Sequence, residues 1–269
     1  MDFIDSHAHL TDPAFDADRD ELIGQKLPEA HVICSAEIGC APNEWDDTLQ
    51  LAEKYPQQIV PVVGVHPEYA AQFTPQQAVV FEQLIRKTQI AAVGEIGLDY
   101  TCLDEADKES QQKLFVQMIS YADQAQQPLV LHVRRQAEDY GVYADCFSVL
   151  KNNWKQSVSR PYGGVLHCFC ARYEEAKQAL DSGLLLGING CFTYKKNEYI
   201  REAVKKVGVE HLILETDCPY LSPQGKRGTR NDPSNIPVIA QFVADYLNVP
   251  LEKLAEVTTQ HTKWLYGLH

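Results

Sequence analysis

Near the start of the chain two histidines stand with one residue between them, His7-Ala8-His9. On a strand that spacing points both side chains the same way, so they can grip one ion. Further along, apolar runs end one after another in a residue able to bind a divalent metal: the third in His66, the fourth in Glu95, the fifth in His132, the sixth in His167 and the eighth in Asp217. One such histidine is more often a hydrogen-bonded core or loop residue. Five histidines and two carboxylates at the ends of six apolar runs are a different matter, because burying them with nothing to ligate would leave costly unpaired charge. Mixed imidazole and carboxylate donors suit Zn²⁺, Mn²⁺ or Fe²⁺, and Mg²⁺ with fewer histidines. The set exceeds the needs of one tetrahedral ion, so two ions sharing a bridging carboxylate and a bridging water fit better, with Glu95 as the bridge. Such a water is partly ionised at neutral pH, and Asp217 is the candidate general base for its remaining proton. The plain alternative for Asp217 is a helix N-cap, against which stand Pro219 two residues on and a long following loop. The implied chemistry is hydrolysis of an ester, amide or phosphodiester.

Cations follow the last apolar run. Lys226, Arg227 and Arg230, spaced by Gly225 and Gly228, lie in the loop Pro219 to Pro233, where the backbone can approach a phosphate closely. A solvated basic loop is the competing reading. Arg134 and Arg135, two and three residues after His132, offer a second phosphate contact. Tyr100 is either a platform for a base or a buried tyrosine with a satisfied hydroxyl. His31, His211, His261 and His269 fall outside the strand ends and receive no catalytic role. Cys168 and Cys170, the one close cysteine pair, read as small-residue packing in preference to a metal site.

The ligands can meet only if the elements carrying them share one face. Short β-branched or apolar runs recur at Phe3-Ile4, His31 to Cys34, Ile59 to Val65, Ile90 to Ile96, Pro128 to Val133, Gly164 to Phe169, Leu184 to Ile188 and Leu212 to Leu214. Segments with helical spacing lie between them: Glu44 to Tyr55, Pro75 to Thr88, Asp107 to Gln127, Ala137 to Trp154, Arg172 to Ser182 and Tyr199 to Val207. Two more, Asn235 to Leu247 and Pro250 to Tyr266, follow the last run. Eight such alternations predict an α/β fold, a single-domain (β/α)8 barrel over residues 1–269, with the metal site at the C-terminal face of its strands. An open doubly wound sheet is the runner-up.

Composition narrows the partners. In 269 residues, 24 Lys and Arg against 37 Asp and Glu leave a net charge of −13. That balance excludes a general basic surface for coating a polyanion, so any contact with nucleic acid must be local. No apolar run approaches the roughly 20 residues of a membrane span, and no basic, apolar leader opens the chain. The eight cysteines form no CxxC pair and read as reduced thiols. The expectation is a cytoplasmic monomer without membrane contact.

These residues also fall into strings. Asp5-Ser6-His7-Ala8-His9-Leu10, Gly64-Val65-His66-Pro67, Gly94-Glu95-Ile96-Gly97-Leu98-Asp99-Tyr100, Leu131-His132, Leu166-His167-Cys168-Phe169 and Glu215-Thr216-Asp217-Cys218-Pro219-Tyr220-Leu221 occur in that order. With them the chain resembles, nearly end to end, the TatD-type metal-dependent deoxyribonucleases, a branch of the amidohydrolase-like barrel hydrolases. The resemblance implies one metal on His7, His9, Glu95 and Asp217, with Glu95 bridging to a second on His132 and His167. It places His66, Asp99 and Arg227 in motifs lining the substrate side, and implies 3′ to 5′ removal of nucleotides from DNA, single-stranded or at ends, with Mg²⁺, Mn²⁺ or Zn²⁺. The chain departs from the family pattern at Glu68, Ala171 and His261, and its last loop leaves Arg227 and Arg230 as rival matches to one family arginine. No departure touches a ligand. The alternatives are an esterase or amidase of the same superfamily, for example a D-aminoacyl-tRNA deacylase, and a non-catalytic metal-stabilised scaffold, against which the retention of Glu95 and Asp217 argues.

Overall fold

The computed structural model describes residues 1–268, and His269 lies outside the described residues. The eight runs become eight strands: β1 (Phe3–Ala8), β2 (Val32–Gly39), β3 (Ile59–Val63), β4 (Ala92–Asp99), β5 (Leu129–Arg134), β6 (Gly164–Leu166), β7 (Leu184–Ile188) and β8 (Leu212–Leu214). They pair in parallel in sequence order. β4 and β7 are buried along their whole length, as strands covered on both faces must be.

The helices are α1 (Arg19–Glu21), α2 (Leu27–Glu29), α3 (Trp45–Lys54), α4 (Pro75–Lys87), α5 (Lys108–Ala125), α6 (Gly141–Asn153), α7 (Tyr173–Asp181), α8 (Glu198–Val207), α9 (Ile236–Leu247) and α10 (Leu251–Tyr266). Local chemistry fixes several ends. Thr74 and Gln77 form a capping box on α4, and Asp107 accepts from Ser110 N at 2.8 Å to start α5. The first connection carries α1, a π-helical stretch Leu22–Lys26 and α2, which the sequence reading does not anticipate. Among the described residues no helix is long and apolar enough to cross a membrane.

Two apolar clusters hold the fold. The larger lies between strands and helices, and the smaller gathers residues such as Ile38, Val62, Val130, Val165, Leu185 and Ile213. Because side chains alternate along a strand, His132 follows Val130, His167 follows Val165 and Glu215 follows Ile213 on that same side. The smaller cluster therefore continues directly into the polar residues at the strand ends.

The seam between β1 and β8 closes past the end of the short last strand. Asp217 N donates to His7 O and His9 N to Cys218 O, both at 2.9 Å, and Ala8 bridges Cys218. Buried Asp5 ties the seam from below: one oxygen accepts from His7 N at 3.1 Å and Thr216 N at 2.9 Å, the other from Thr216 Oγ1 at 2.5 Å.

Candidate active site

The predicted metal-binding residues converge at the C-terminal end of the barrel, around Glu95. On one side His7 Nε2 lies 3.4 Å from Glu95 Oε2 and 3.7 Å from Asp217 Oδ1, while His9 Nε2 lies 3.4 Å from that same Asp217 oxygen. On the other, Glu95 Oε1 meets His132 Nδ1 at 2.5 Å and His167 Nε2 at 2.7 Å. Glu95 therefore faces a different pair of elements with each oxygen, as a bridging carboxylate would. The rings of His7 and His167 stack at 3.9 Å between centroids.

The donor set fits divalent ions on its own evidence. Both nitrogens of buried His7 and Nδ1 of buried His167 have no hydrogen-bond partner among the described residues. His132 Nδ1 and His167 Nε2 also approach each other to 3.2 Å, both set against the same Glu95 oxygen. Orphaned buried donors are costly, and imidazoles crowded around one carboxylate are what a cation would satisfy. Four groups of side chains are each close enough to hold an ion: His7 with His9 and Glu95, Glu95 with His132 and His167, His7 with His167 and Glu215, and His66 with Asp99 and His132.

The charges are mutually tuned. Burial raises the cost of ionising Glu95, but His167 and His132 outweigh it and hold the carboxyl well below its usual range. Burial likewise opposes charge on His132 and His167, yet Glu95 lifts them to about 10 and about 9. His7 goes the other way: burial, helped by His167, pushes it down to about 4. The site thus favours cations beside an ionised Glu95.

His66 and Asp99 lie on the β3–β5 flank. The His66 ring is 4.4 Å from that of His132, and its Nδ1 accepts from Glu68 N at 3.2 Å. Asp99 accepts from His132 Nε2 at 3.0 Å and from Thr101 N and Oγ1. Expected on the substrate side, Asp99 is in contact with a candidate ligand and so bears on the orientation of that imidazole. The two loop arginines separate cleanly. Arg230 holds both Asp18 oxygens at 2.7 Å and Ala14 O at 2.7 Å, strapping the last loop to the first. Arg227 is exposed, its guanidinium 4.7 Å over the Tyr194 ring, and makes no ion pair among the described residues.

Other sequence readings resolve as well. Tyr100 is 3% exposed and donates to Asp145 at 2.5 Å, so it is the buried tyrosine. Asp217 caps no helix; it sits at φ +57°, two residues before Pro219. His261 is buried against Leu212 O at 3.1 Å, beyond the far end of β8 from the site. Cys168 and Cys170 belong to none of the metal-capable groups among the described residues.

Four residues that sequence reasoning gave no role support the site. Glu215 Oε1 accepts from Cys168 N at 2.6 Å and Asn189 Nδ2 at 3.0 Å, fixing the turn after His167. Glu37 accepts from Leu10 N and from Thr11 N and Oγ1, holding the chain just after His9. Cys40 donates to Glu95 Oε2 at 3.3 Å. Asp5 spans both ligand-bearing strand ends at the seam. Asp5 and Glu215 lie inside the motif strings quoted above, which was the available signal; Glu37 and Cys40 had none.

Comparison with known proteins agrees with this geometry. A profile of the family described as TatD related DNase matches residues 4–267. The metal-dependent hydrolase YcfH of Escherichia coli K12 is 30% identical over 271 aligned positions, covering 100% of this chain and 97% of its own. A protein of Erwinia tasmaniensis named 3′-5′ ssDNA/RNA exonuclease TatD is 30% identical, covering 98% of this chain and 99% of its own. The crystal structure of YJJV, a TatD homologue from Escherichia coli K12, superposes with a TM-score of 0.89 at 25% identity, covering 99% of this chain and 98% of that one.

Proposed function

The chain belongs to the TatD-related DNase family and is a metal-dependent hydrolase, and from that premise we propose that it removes nucleotides from the 3′ ends of single-stranded DNA. The observation that carries this reading is the two-sided convergence on Glu95, with an exposed arginine in the loop that follows Asp217.

In this reading His7, His9, Glu95 and Asp217 would hold one divalent ion, and Glu95, His132 and His167 would hold a second, with Mg²⁺, Mn²⁺ or Zn²⁺ as candidates. Bound there, the ions supply Lewis acidity toward the phosphoryl group and make water more acidic. The protein does the rest. Asp217, held ionised by the histidines around it despite burial, takes the proton of the attacking water on a carboxylate oxygen. Asp99 fixes the His132 ring through Nε2, and Glu215 fixes the backbone behind His167. Arg227 offers a planar donor pair to a phosphate, which Arg230 cannot do while it straps Asp18. His66, with Nδ1 accepting from Glu68 N, keeps its hydrogen on Nε2 and stays neutral, burial holding its pKa down to about 3. It is suited to donate to a substrate oxygen. The Erwinia relative's name supports both the strand polarity and the single-stranded substrate, and residues 1–269 would act as one unit.

The test is hydrolysis of 3′-labelled and 5′-labelled single-stranded DNA by metal-stripped protein resupplied with each ion, with Asp217→Asn as the control against contaminating nuclease. Stepwise shortening from the 3′ end, reduced about 10²- to 10⁴-fold in the variant, is expected. Absence of cleavage with every ion, in protein that still binds metal, would overturn the nuclease reading in favour of an ester or amide substrate.

A further inference from the structure

The mouth of the barrel is electrically two-sided. The connections that leave β1, β2, β3 and β4 toward the helices contain no Lys or Arg, and they carry acids such as Asp12, Asp16, Glu68, Asp104 and Glu105. The cations within these connections, Arg135, Arg172, Lys195, Lys196 and Arg227 among them, stand after β5 to β8; on the other half Arg19 and Lys108 open α1 and α5, Arg19 being taken up by the backbone oxygens of Leu10, Thr11 and Asp12 and Lys108 lying over the Tyr100 ring. In a chain of net charge −13, such segregation matters, because local potential at the mouth decides where a polyanion lies.

The basic half is also aromatic. The guanidinium groups of Arg135 and Arg172 lie 4.6 and 4.7 Å from the Tyr140 ring, and Arg135 is 6.0 Å from Tyr199. Arg227 covers Tyr194 at 4.7 Å. Glu138 lies 3.2 Å from Arg135 and 3.4 Å from Arg172, but its side chain is 75% exposed, so it offsets little of their charge. Lys195 and Lys196 are exposed and form no ion pair among the described residues. Alternating cations and rings are what a single strand needs, phosphates meeting the charge while bases stack on aromatic faces. The track reaches the reaction centre, since Arg135 stands three residues after His132 and Arg172 five after His167.

We propose that the strand being shortened leaves the site across the β5–β8 half of the mouth, its phosphates on Arg172, Lys195 and Lys196 and its bases against Tyr140 and Tyr199, while the acidic β1–β4 half excludes it. This path rests on the exonuclease reading but is tested by binding, so the two can fail separately.

The experiment uses metal-loaded protein and 5′-fluorescein-dT20 whose 3′ linkages are phosphorothioates, read by fluorescence anisotropy across a salt series. Lys195→Glu with Lys196→Glu should raise Kd about tenfold or more and flatten the salt slope by about 1.4, at about 0.7 per lost phosphate contact on a single strand. Asp104→Lys with Glu105→Lys, at two exposed positions on the acidic half, should change Kd less than about twofold. Mirror-image shifts from the two pairs would show that only net charge matters and overturn the path. So would an unchanged Kd in the lysine pair, or no binding by the unaltered protein at low salt. Binding with the expected pattern, but no cleavage of unmodified dT20, would uphold the path as a strand-binding surface and overturn the exonuclease reading.

Discussion

Gly187 is the position where one added methyl group should propagate furthest into the site. A Cβ there would lie 2.2 Å from Glu215 Oε2, 2.7 Å from its Cδ and 3.1 Å from His167 Cα. The carboxylate cannot swing into solvent, because Glu215 is fully buried and its other oxygen holds Cys168 N and Asn189 Nδ2. Gly187→Ala must therefore overpack, costing about 1–3 kcal/mol, and displace a buried hydrogen bond, costing about 1–3 kcal/mol more. A total of about 2–6 kcal/mol corresponds to a fall in Tm of roughly 4–24 °C for a chain of this size. Because the displaced group backs His167, metal content should fall with it, read by mass spectrometry after gel filtration at limiting metal. Glu215→Ala opens the space, so adding Gly187→Ala to that variant should cost at least about 1 kcal/mol less than in the unaltered protein. A Gly187→Ala protein that melts within about 2 °C of the original and keeps its metal would refute the reasoning. Additive losses in the double variant would refute it equally.

Other outcomes follow from the same contacts. His7→Ala with His9→Ala should lower bound metal and shrink the Tm drop that a chelator causes, since an ion binding only the folded chain stabilises it by mass action; unchanged stoichiometry would remove those two residues from the ligand set. Arg227→Ala should raise KM for a phosphodiester much more than for a neutral ester, whereas Arg230→Ala should instead loosen the last loop; equal effects of Arg227→Ala on both substrates would remove its phosphate role. The Asp18 carboxyl is held down to about 2 by its hydrogen bonds to Arg230. A depressed carboxyl contributes stability above its unfolded value near 4 that disappears as pH falls toward 2. The unaltered protein should therefore lose about 1 kcal/mol more than Arg230→Ala between pH 4 and pH 2, the figure being reduced for the pair's partial exposure, as denaturant titrations at each pH would show.

Which parts of this structure are legible in the sequence depends on how far each depends on distant contacts. The strands are legible because parallel strands buried on both faces write themselves as unbroken apolar runs, and their polar last residues then mark one face of the barrel. Boundaries slip where a turn intervenes: the run Gly164 to Phe169 is regular strand only to Leu166, since Cys168 turns the chain at φ +47°, although His167 N and Phe169 N still reach Leu131 O and Gly187 O. The helical stretch Arg19 to Glu29 is hidden because it is short, has only three buried apolar residues, Leu22, Ile23 and Leu27, and is interrupted by Gly24 and Pro28. Ligands announce themselves by type and position, but their supports do not. Asp5 looks like any acid at the head of a strand until it is seen accepting from Thr216, 211 residues away, and Glu37 gains its role only when the loop after His9 folds over it. A carboxylate buried at the barrel's seam is costly unless both ladders deliver their donors, so Asp5 can be satisfied only after the last strand has docked on the first. The seam it closes is therefore also the step that brings Asp217 beside His7 and His9, which ties completion of the fold to completion of the candidate site.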